Sequence, residues 1–364
     1  MRPASEAELS ALLAEANRPL QVRGGGTRGM TSGEGDVIET GGLSGVTLYE
    51  PGALTLVVKA GTPLEDVEAT LAAENQCLAF EPMDHRALLG TDGAPTIGGV
   101  VAANISGPRR VQVGACRDFL LGVRFVDGSG TVIRNGGRVM KNVTGYDLAR
   151  LMAGSYGTLG VLTEVALKVL PMPVTQGLVS IDGLSVTEAV RAMSAALGSP
   201  FEVSGAARLA SGTTMLRVEG TEASVAYRMG RLAELLSPFR RVSTGAGADW
   251  TRVRDVTDWA GGADDVWRLS VKPSDAPGLV DRLPDGAEVM LDWGGGLVWV
   301  AVAPGTDLRE ALGPFRGHAT RVRGSGPSPR FQPEAPAVAK LSDGLRRRFD
   351  PRGILNPGLM AATA

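Results

Sequence analysis

The chain has 364 residues, 43% of them hydrophobic and 21% charged, with a formal net charge of −2. That is enough length for two or three globular domains, and the charge balance gives no electrostatic reason to expect nucleic acid. No apolar run approaches the roughly 18–20 residues that span a bilayer, and no basic leader opens the sequence, so a cytoplasmic chain without a transmembrane segment is expected.

The first segment, "SEAELSALLAEANR", places Ser5 and Glu8 at capping-box spacing and Leu9, Leu12 and Leu13 on one face, which predicts a helix. "PLQVR" reads as a short strand running into "GGGTRG". Gly24, Gly26 and Gly29 have the G-x-G-x-x-G spacing of a dinucleotide fingerprint, but that fingerprint needs a long helix immediately after it. The next residues are instead "MTSGEGDVIETGGLSG", with glycines at 33, 35, 41, 42 and 45, where no helix survives. A Rossmann loop is excluded. Two readings stay open: a nest of backbone N–H groups converging on an anion, or a plain turn.

"VTLYE" and "LTLVVKAG" are strands, and "TPLEDVEATLAAENQ" predicts a helix with Thr62 as N-cap, Pro63 at the first helical position and Glu65 completing a capping box. In residues 90–110, "GTDGAPTIGGVVAANISGPRR", the Gly98–Gly99 pair and Asn104–Gly107 would let a flat ring or phosphate lie against main chain. The same stretch also reads as a glycine-rich helix and loop packed on a sheet. "DFLLGVRFVDGSGTVIR" is a hairpin turning at Asp127–Gly130. In residues 139–171, Gly154, Gly157 and Gly160 bend the chain into a strand from Val161 that ends at Pro171 and Pro173.

From there the pattern reads β-α-β-β-α-β, crosses a connector bearing Trp250 and Trp259, and reads β-α-β-β-α-β again. Two such units in tandem can share one antiparallel sheet with helices on one face. A proline-rich loop at 325–335 and a final helix, "AVAKLSDGLRRRF", lead to "DPRGILNPGLM". The expected class is α+β, divided at 1–172, 173–330 and 331–364. The two cysteines, Cys77 and Cys116, form no metal spacing and no disulfide framework.

Taken in order, "VRGGGTR", residues 90–110, "GGRVMKNVTGYDLARLMAGSYGTLGVLTEV", "LDWGGGLVW", "GHATR" and "FDPRGILNPG" resemble the vanillyl-alcohol oxidase/para-cresol methylhydroxylase (PCMH) superfamily. Within it they resemble the glycolate oxidase and D-lactate dehydrogenase branch, and there the FAD-binding subunit family of bacterial glycolate oxidase. The likeness covers nearly the whole chain and is least distinctive at about 175–285.

The resemblance implies a PCMH-type FAD-binding domain over 1–172, a ferredoxin-like antiparallel cap over 173–330, and a C-terminal segment, 331–364, that returns to the FAD domain. It implies that Arg23, Gly24, Gly25, Gly26 and Thr27 hold the FAD pyrophosphate. Thr96, Gly98, Gly99, Asn104, Ser106 and Gly107 would run along pyrophosphate and isoalloxazine; Gly157, Gly160 and Val161 would meet the adenine, and Asn356 would return to the flavin. The first loop has no histidine to tether the flavin, so FAD is expected to be non-covalent, with a Cys116 thioether as a minor alternative. No metal site is expected.

The implied function is that of an FAD-binding subunit of a glycolate dehydrogenase complex. It would oxidise glycolate and similar 2-hydroxy acids to glyoxylate or its analogues and pass electrons to an acceptor other than O2. A catalytic flavoprotein subunit and an iron–sulfur subunit are the expected partners, through which the complex could sit on the inner face of the membrane. Such oxidation needs a base for the hydroxyl proton and cations for the carboxylate. This chain has only His85 and His318. His318, Arg321 and Arg323 are weak catalytic candidates: Arg321 and Arg323 alternate about Val322, so both would face one side as a carboxylate clamp, with His318 on the other. A self-sufficient flavin dehydrogenase and a scaffold with a vestigial flavin fold are the alternatives.

Overall fold

The computed structural model describes residues 1–29, 35–138, 145–326 and 328–360. The start of the third glycine stretch, residues 139–144, therefore lies outside the described residues. The chain divides into two compact units, one of Met1–Ser106, Gly114–Met172 and Pro333–Ala364, the other of Gly107–Val113 and Pro173–Gln332.

The first unit begins with the helix Glu6–Glu15, where the Ser5 hydroxyl accepts from the Glu8 N–H. The Glu8 carboxylate accepts from Ala4 N rather than from the cap residue, so only half of the expected box forms. Strands β1 (Leu20–Arg23) and β2 (Asp36–Glu39) pair in parallel. Then come β3 (Val46–Glu50), β4 (Thr55–Lys59), the short β5 (Gln76–Cys77), β6 (Leu120–Val126), β7 (Val132–Gly136), β8 (Val161–Lys168) and β9 (Leu170–Pro171). An antiparallel sheet runs in the order β3-β4-β8-β6-β7.

The β6–β7 turn is fixed by Asp127, whose carboxylate accepts from Ser129 N and Thr131 N at 2.9 Å each. Before the helix Leu64–Ala72, Pro63 occupies the N-cap and Thr62 lies outside the cap. The Thr62 hydroxyl instead donates to Lys59 O at 2.7 Å and accepts from Gly45 N at 2.9 Å, so tertiary bonding has taken the expected capping group.

The C-terminal segment is built into this unit. Ile354 and Leu355 are buried with Leu9, Leu13, Leu20, Ile38, Val126 and Val161 in one apolar cluster. Arg352 donates to Ala14 O and Ala16 O at 2.9 and 2.7 Å, at the C-terminal end of the first helix. A cation at that end satisfies carbonyls the helix cannot use itself.

The second unit contains β10 (Thr175–Ile181), β11 (Gly205–Arg208), β12 (Thr214–Gly220), β13 (Val242–Ala246), β14 (Asp265–Val271), β15 (Glu288–Asp292), β16 (Leu297–Val302) and β17 (Gly317–Arg323). They form one eight-stranded antiparallel sheet, β13-β10-β12-β11-β15-β16-β14-β17. Each half has the ferredoxin-like order, and the halves join edge to edge through β11 and β15. Helices Val186–Leu197 and Glu222–Leu236 contribute Val190, Met193, Val225 and Leu232 to the core against Leu216, Val218, Trp267 and Val300.

The segment Gly107–Val113, expected within the first domain, belongs to this unit for a polar reason. Trp293 Nε1 donates to Gly107 O at 2.9 Å, Arg109 pairs with Glu219 at 3.0 Å, and the Arg110 guanidinium lies 5.6 Å from the Trp293 ring centre.

Candidate functional site

A cavity of about 370 Å3 opens in the first unit, within the ~300–1,000 Å3 range of small-molecule sites. Three segments line it: the end of β1 with the loop that follows (residues 21–29), the turn into the helix Ile97–Ala102, and the turn before β8.

The glycines are needed chiefly because loop packs on loop. A Cβ on Gly24 would lie 2.4 Å from Thr96 Oγ1, and one on Gly25 only 1.6 Å from the Ala94 carbonyl oxygen. A Cβ on Gly98 would lie 2.6 Å from Ala60 O. Gly26 adopts a φ of +72°, which turns the chain across the cavity mouth. Among the described residues, the N–H groups of Gly25, Gly26 and Thr27 donate to no protein acceptor. Close backbone packing thus holds the first loop with these N–H groups free of protein acceptors, as a nest for an anion would require.

Asn356 closes the cavity from the C-terminal side. It is only 4% exposed and adopts a φ of +42°. Its Oδ1 accepts from Val22 N and its Nδ2 donates to Tyr156 O, both at 2.8 Å.

Of the residues singled out from sequence, Arg23, Gly24, Gly25, Gly26, Thr27, Thr96, Gly98, Gly99, Gly157, Gly160 and Asn356 line this cavity. Four do not. Val161 is fully buried in the core of the unit. Asn104 Oδ1 accepts from Arg117 N and Ser106 Oγ from Cys116 N, so both brace the next loop. Gly107 belongs to the second unit. Sequence reading missed Arg28, Thr40, Ala60 and Tyr156, which also line the cavity. Arg28 directly follows the glycine loop, and that adjacency was the available signal.

The catalytic candidates fall on opposite sides of β17. Arg321 is 7% exposed, donates to Gly326 O and Ser328 O at 3.2 Å each, and stacks 5.7 Å from the Trp267 ring centre. Arg323 donates to Asp264 O at 2.8 Å and to Trp259 O at 2.6 Å. A register irregularity at Val266/Trp267 sets the two arginines against different partners. The expected carboxylate clamp is therefore not formed in this conformation, because the two guanidinium groups are held on separate sets of backbone carbonyls.

His318 pairs across the strands with Ser270 and shares that face with Arg268. Packing around the ring and then the Arg268 charge lower its pKa below the ordinary imidazole value. His85 is buried, with Nδ1 3.3 Å from Met83 O, and lines no part of the cavity.

Residues 1–136 match the family model described as an FAD binding domain. Over 97% of both chains the protein is 35% identical to "Glycolate oxidase subunit GlcE" of Escherichia coli strain K12. It is 32% identical to a D-lactate dehydrogenase of Archaeoglobus fulgidus over 47% of this chain and 38% of that one. The solved structure of an alkyldihydroxyacetonephosphate synthase superposes with a TM-score of 0.70 at 15% identity, covering 98% of this chain and 75% of the other, a likeness of fold. With a PCMH-type fold and near-full-length similarity to an established subunit, the chain belongs to the glycolate oxidase subunit GlcE family of FAD-binding oxidoreductases.

Proposed function

We propose that this chain is the FAD-carrying subunit of a glycolate dehydrogenase complex, oxidising glycolate and similar 2-hydroxy acids and delivering electrons to an acceptor other than O2. The observation that carries the reading is the nest of unbonded N–H groups at Gly25, Gly26 and Thr27. It opens onto a cavity in a chain whose likeness to a glycolate oxidase subunit runs along nearly its whole length. These residues fit FAD. The nest would hold the pyrophosphate, and Thr96, Gly98 and Gly99 would let the cofactor lie against main chain. Gly157 and Asn356 would close the far side.

FAD, when bound, supplies the acceptor for a hydride equivalent. The remaining work is to position the substrate carboxylate and remove the hydroxyl proton. Among the described residues, the cavity lining contributes the cations Arg23 and Arg28 but no carboxylate, histidine or lysine. Tyr156 is the one uncharged acid–base side chain in this lining among the described residues, and the reading takes the proton acceptor from outside it. The reading assigns it to a catalytic flavoprotein partner, with an iron–sulfur subunit carrying electrons onward; membrane association would come through those partners. No helix among the described residues is long and apolar enough to cross a membrane.

The FAD is non-covalent in this reading. The lining includes neither histidine nor cysteine among the described residues. Cys116 is fully buried and its thiol is pushed up by that burial, so the thiolate needed for a thioether is disfavoured. Acid precipitation should leave a yellow supernatant and a colourless pellet; flavin retained on the denatured chain would overturn this.

His318 gives weight to a second reading. The imidazole lies beside Arg268, a base next to a cation, the pairing that a self-sufficient enzyme would require. Steady-state glycolate oxidation with an artificial acceptor separates the two. The complex reading expects the lone chain to turn over at least about 100-fold more slowly than the reconstituted complex, the scale of general acid–base assistance. Equal turnover per flavin, lost in His318→Ala of the lone chain, would establish the self-sufficient enzyme. A chain that takes up no flavin at all would leave only the vestigial scaffold.

A further inference from the structure

Arg28 stands apart from the other cavity residues. Among the described residues it forms no salt bridge, and its Nε is shielded from solvent with no hydrogen-bond partner. The guanidinium reaches from the first glycine loop to the second: a Cβ on Gly99 would lie 3.0 Å from its Nη1. Three neighbours act on it electrostatically, Tyr156, Cys116 and Asp84. Among them Asp84 alone carries an opposing carboxylate charge, and it shares that charge with Arg86. The Cys116 thiol is held protonated by burial, and the Asp84 carboxylate is gripped by Arg86, at 2.7 Å from Nη2 and 3.0 Å from Nε. Desolvation lowers the Arg28 pKa, yet guanidinium stays charged at any physiological pH.

A half-buried cation whose Nε is shielded without a partner is costly, and a protein retains one where a ligand completes it. Oxidised FAD is neutral in its isoalloxazine and adenine rings at neutral pH. Its one anionic group is the pyrophosphate. Arg28 follows directly on the Gly25–Thr27 nest, so the fork and the unbonded N–H groups come from adjacent residues of one loop. The geometry points to Arg28 as the pyrophosphate's counter-ion, a cofactor-binding residue that works with the nest and leaves the cofactor-free chain with an uncompensated charge. The assignment rests on the FAD reading and adds an electrostatic requirement to it. A guanidinium also suits the task geometrically, because its planar fork pairs with two phosphate oxygens where an ammonium meets only one.

The test uses the full chain stripped of flavin, titrated with FAD by fluorescence, with ADP as a competitor that carries the pyrophosphate and no flavin, and riboflavin as a ligand that carries neither phosphate. Arg28→Met should weaken FAD by about 10–100-fold, the value of charge-assisted hydrogen bonds. ADP competition should fall in parallel and riboflavin binding should stay unchanged. Arg28→Lys should lose about 3–10-fold and keep the salt dependence of the wild type. The cofactor-free Arg28→Met chain should melt no lower than cofactor-free wild type, because the substitution removes a strained charge; a merely structural arginine would show the opposite.

Unchanged FAD affinity overturns the assignment. So does an equal loss for FAD and riboflavin, or a shift of flavin potential with no loss of ADP binding. Should Arg28→Met fail to fold, an uncharged Arg28→Gln that binds FAD as tightly as wild type overturns it as well. Wild-type chain that takes up neither FAD nor ADP would remove the FAD reading itself, a result distinct from all of these.

Discussion

Gly25→Val should abolish FAD binding, and Gly25→Ala is expected to do nearly as much. The Cβ common to both would lie 1.6 Å from the Ala94 carbonyl oxygen and 2.5 Å from its carbonyl carbon. Both are backbone atoms, so no side-chain rotation relieves the overlap. The first loop must move away from the second, and the cavity between them loses its shape. Overpacking of this kind costs typically 1–3 kcal/mol in stability. The loss of cofactor is larger, because the nest donors no longer converge. Flavin content of the purified variants should fall below a tenth of wild type, with a lower melting temperature. Gly52→Ala is the control: no atom lies within 4 Å of its added carbon, and it should keep full flavin. Wild-type flavin content in Gly25→Ala would show that the two loops slide without consequence for the site.

Those distances also show what the sequence could and could not express. That residues 23–27 form a tight glycine loop was readable, since consecutive glycines follow a strand with no helix after them, and the loop does line the cavity. Why Gly25 must be glycine was not. Its constraint is the Ala94 backbone, on another loop. The two βαββαβ units were legible because their helical and strand periodicities alternate regularly, and the sheet order follows from that alternation.

Local rules failed where a tertiary contact outbid them. Thr62 looks like an N-cap, yet its hydroxyl is taken by Gly45 and Lys59, and Pro63 caps the helix instead. Arg321 and Arg323 look like a clamp on one strand face, yet the irregular register of β17 against β14 and nearby carbonyls commit both. Gly107 sits in a motif that resembles a cofactor loop, but Trp293, far along the chain, draws its carbonyl into the second unit. Arg28 escaped notice for the opposite reason. A motif ends where its glycines end, and the missing partner of an arginine appears only in three dimensions.

Asn356→Ala should be the most damaging substitution outside the glycine loops. The Asn356 amide joins three segments that are distant in sequence: its own C-terminal turn, β1 through Val22 N, and the turn before β8 through Tyr156 O. The backbone reinforces the junction, with Asn356 N donating to Leu20 O at 2.9 Å and Leu20 N to Ile354 O at 2.7 Å. Alanine removes both side-chain bonds, leaving a donor and an acceptor unpaired in a site that is 4% exposed. Each buried orphan costs about 1–3 kcal/mol, and asparagine tolerates the left-handed backbone better than alanine does. The expected loss is about 2–4 kcal/mol, with FAD affinity reduced at least tenfold because Val22, Tyr156 and Asn356 all line the cavity. Asn356→Asp separates the two bonds. It keeps an acceptor for Val22 N but sets a carboxylate oxygen against the Tyr156 carbonyl. Burial and that repulsion raise the new carboxyl's pKa above its unfolded value, so the folded chain binds the extra proton more tightly. Stability of this variant relative to wild type should therefore rise as pH falls through the raised pKa, when the protonated acid can donate to Tyr156 O. Thermal unfolding at pH 8 and pH 5 measures this, beside Asn356→Ala, which should show no such recovery. Equal deficits for Asn356→Asp at both pH values would mean that the donor to Tyr156 O contributes nothing to the junction.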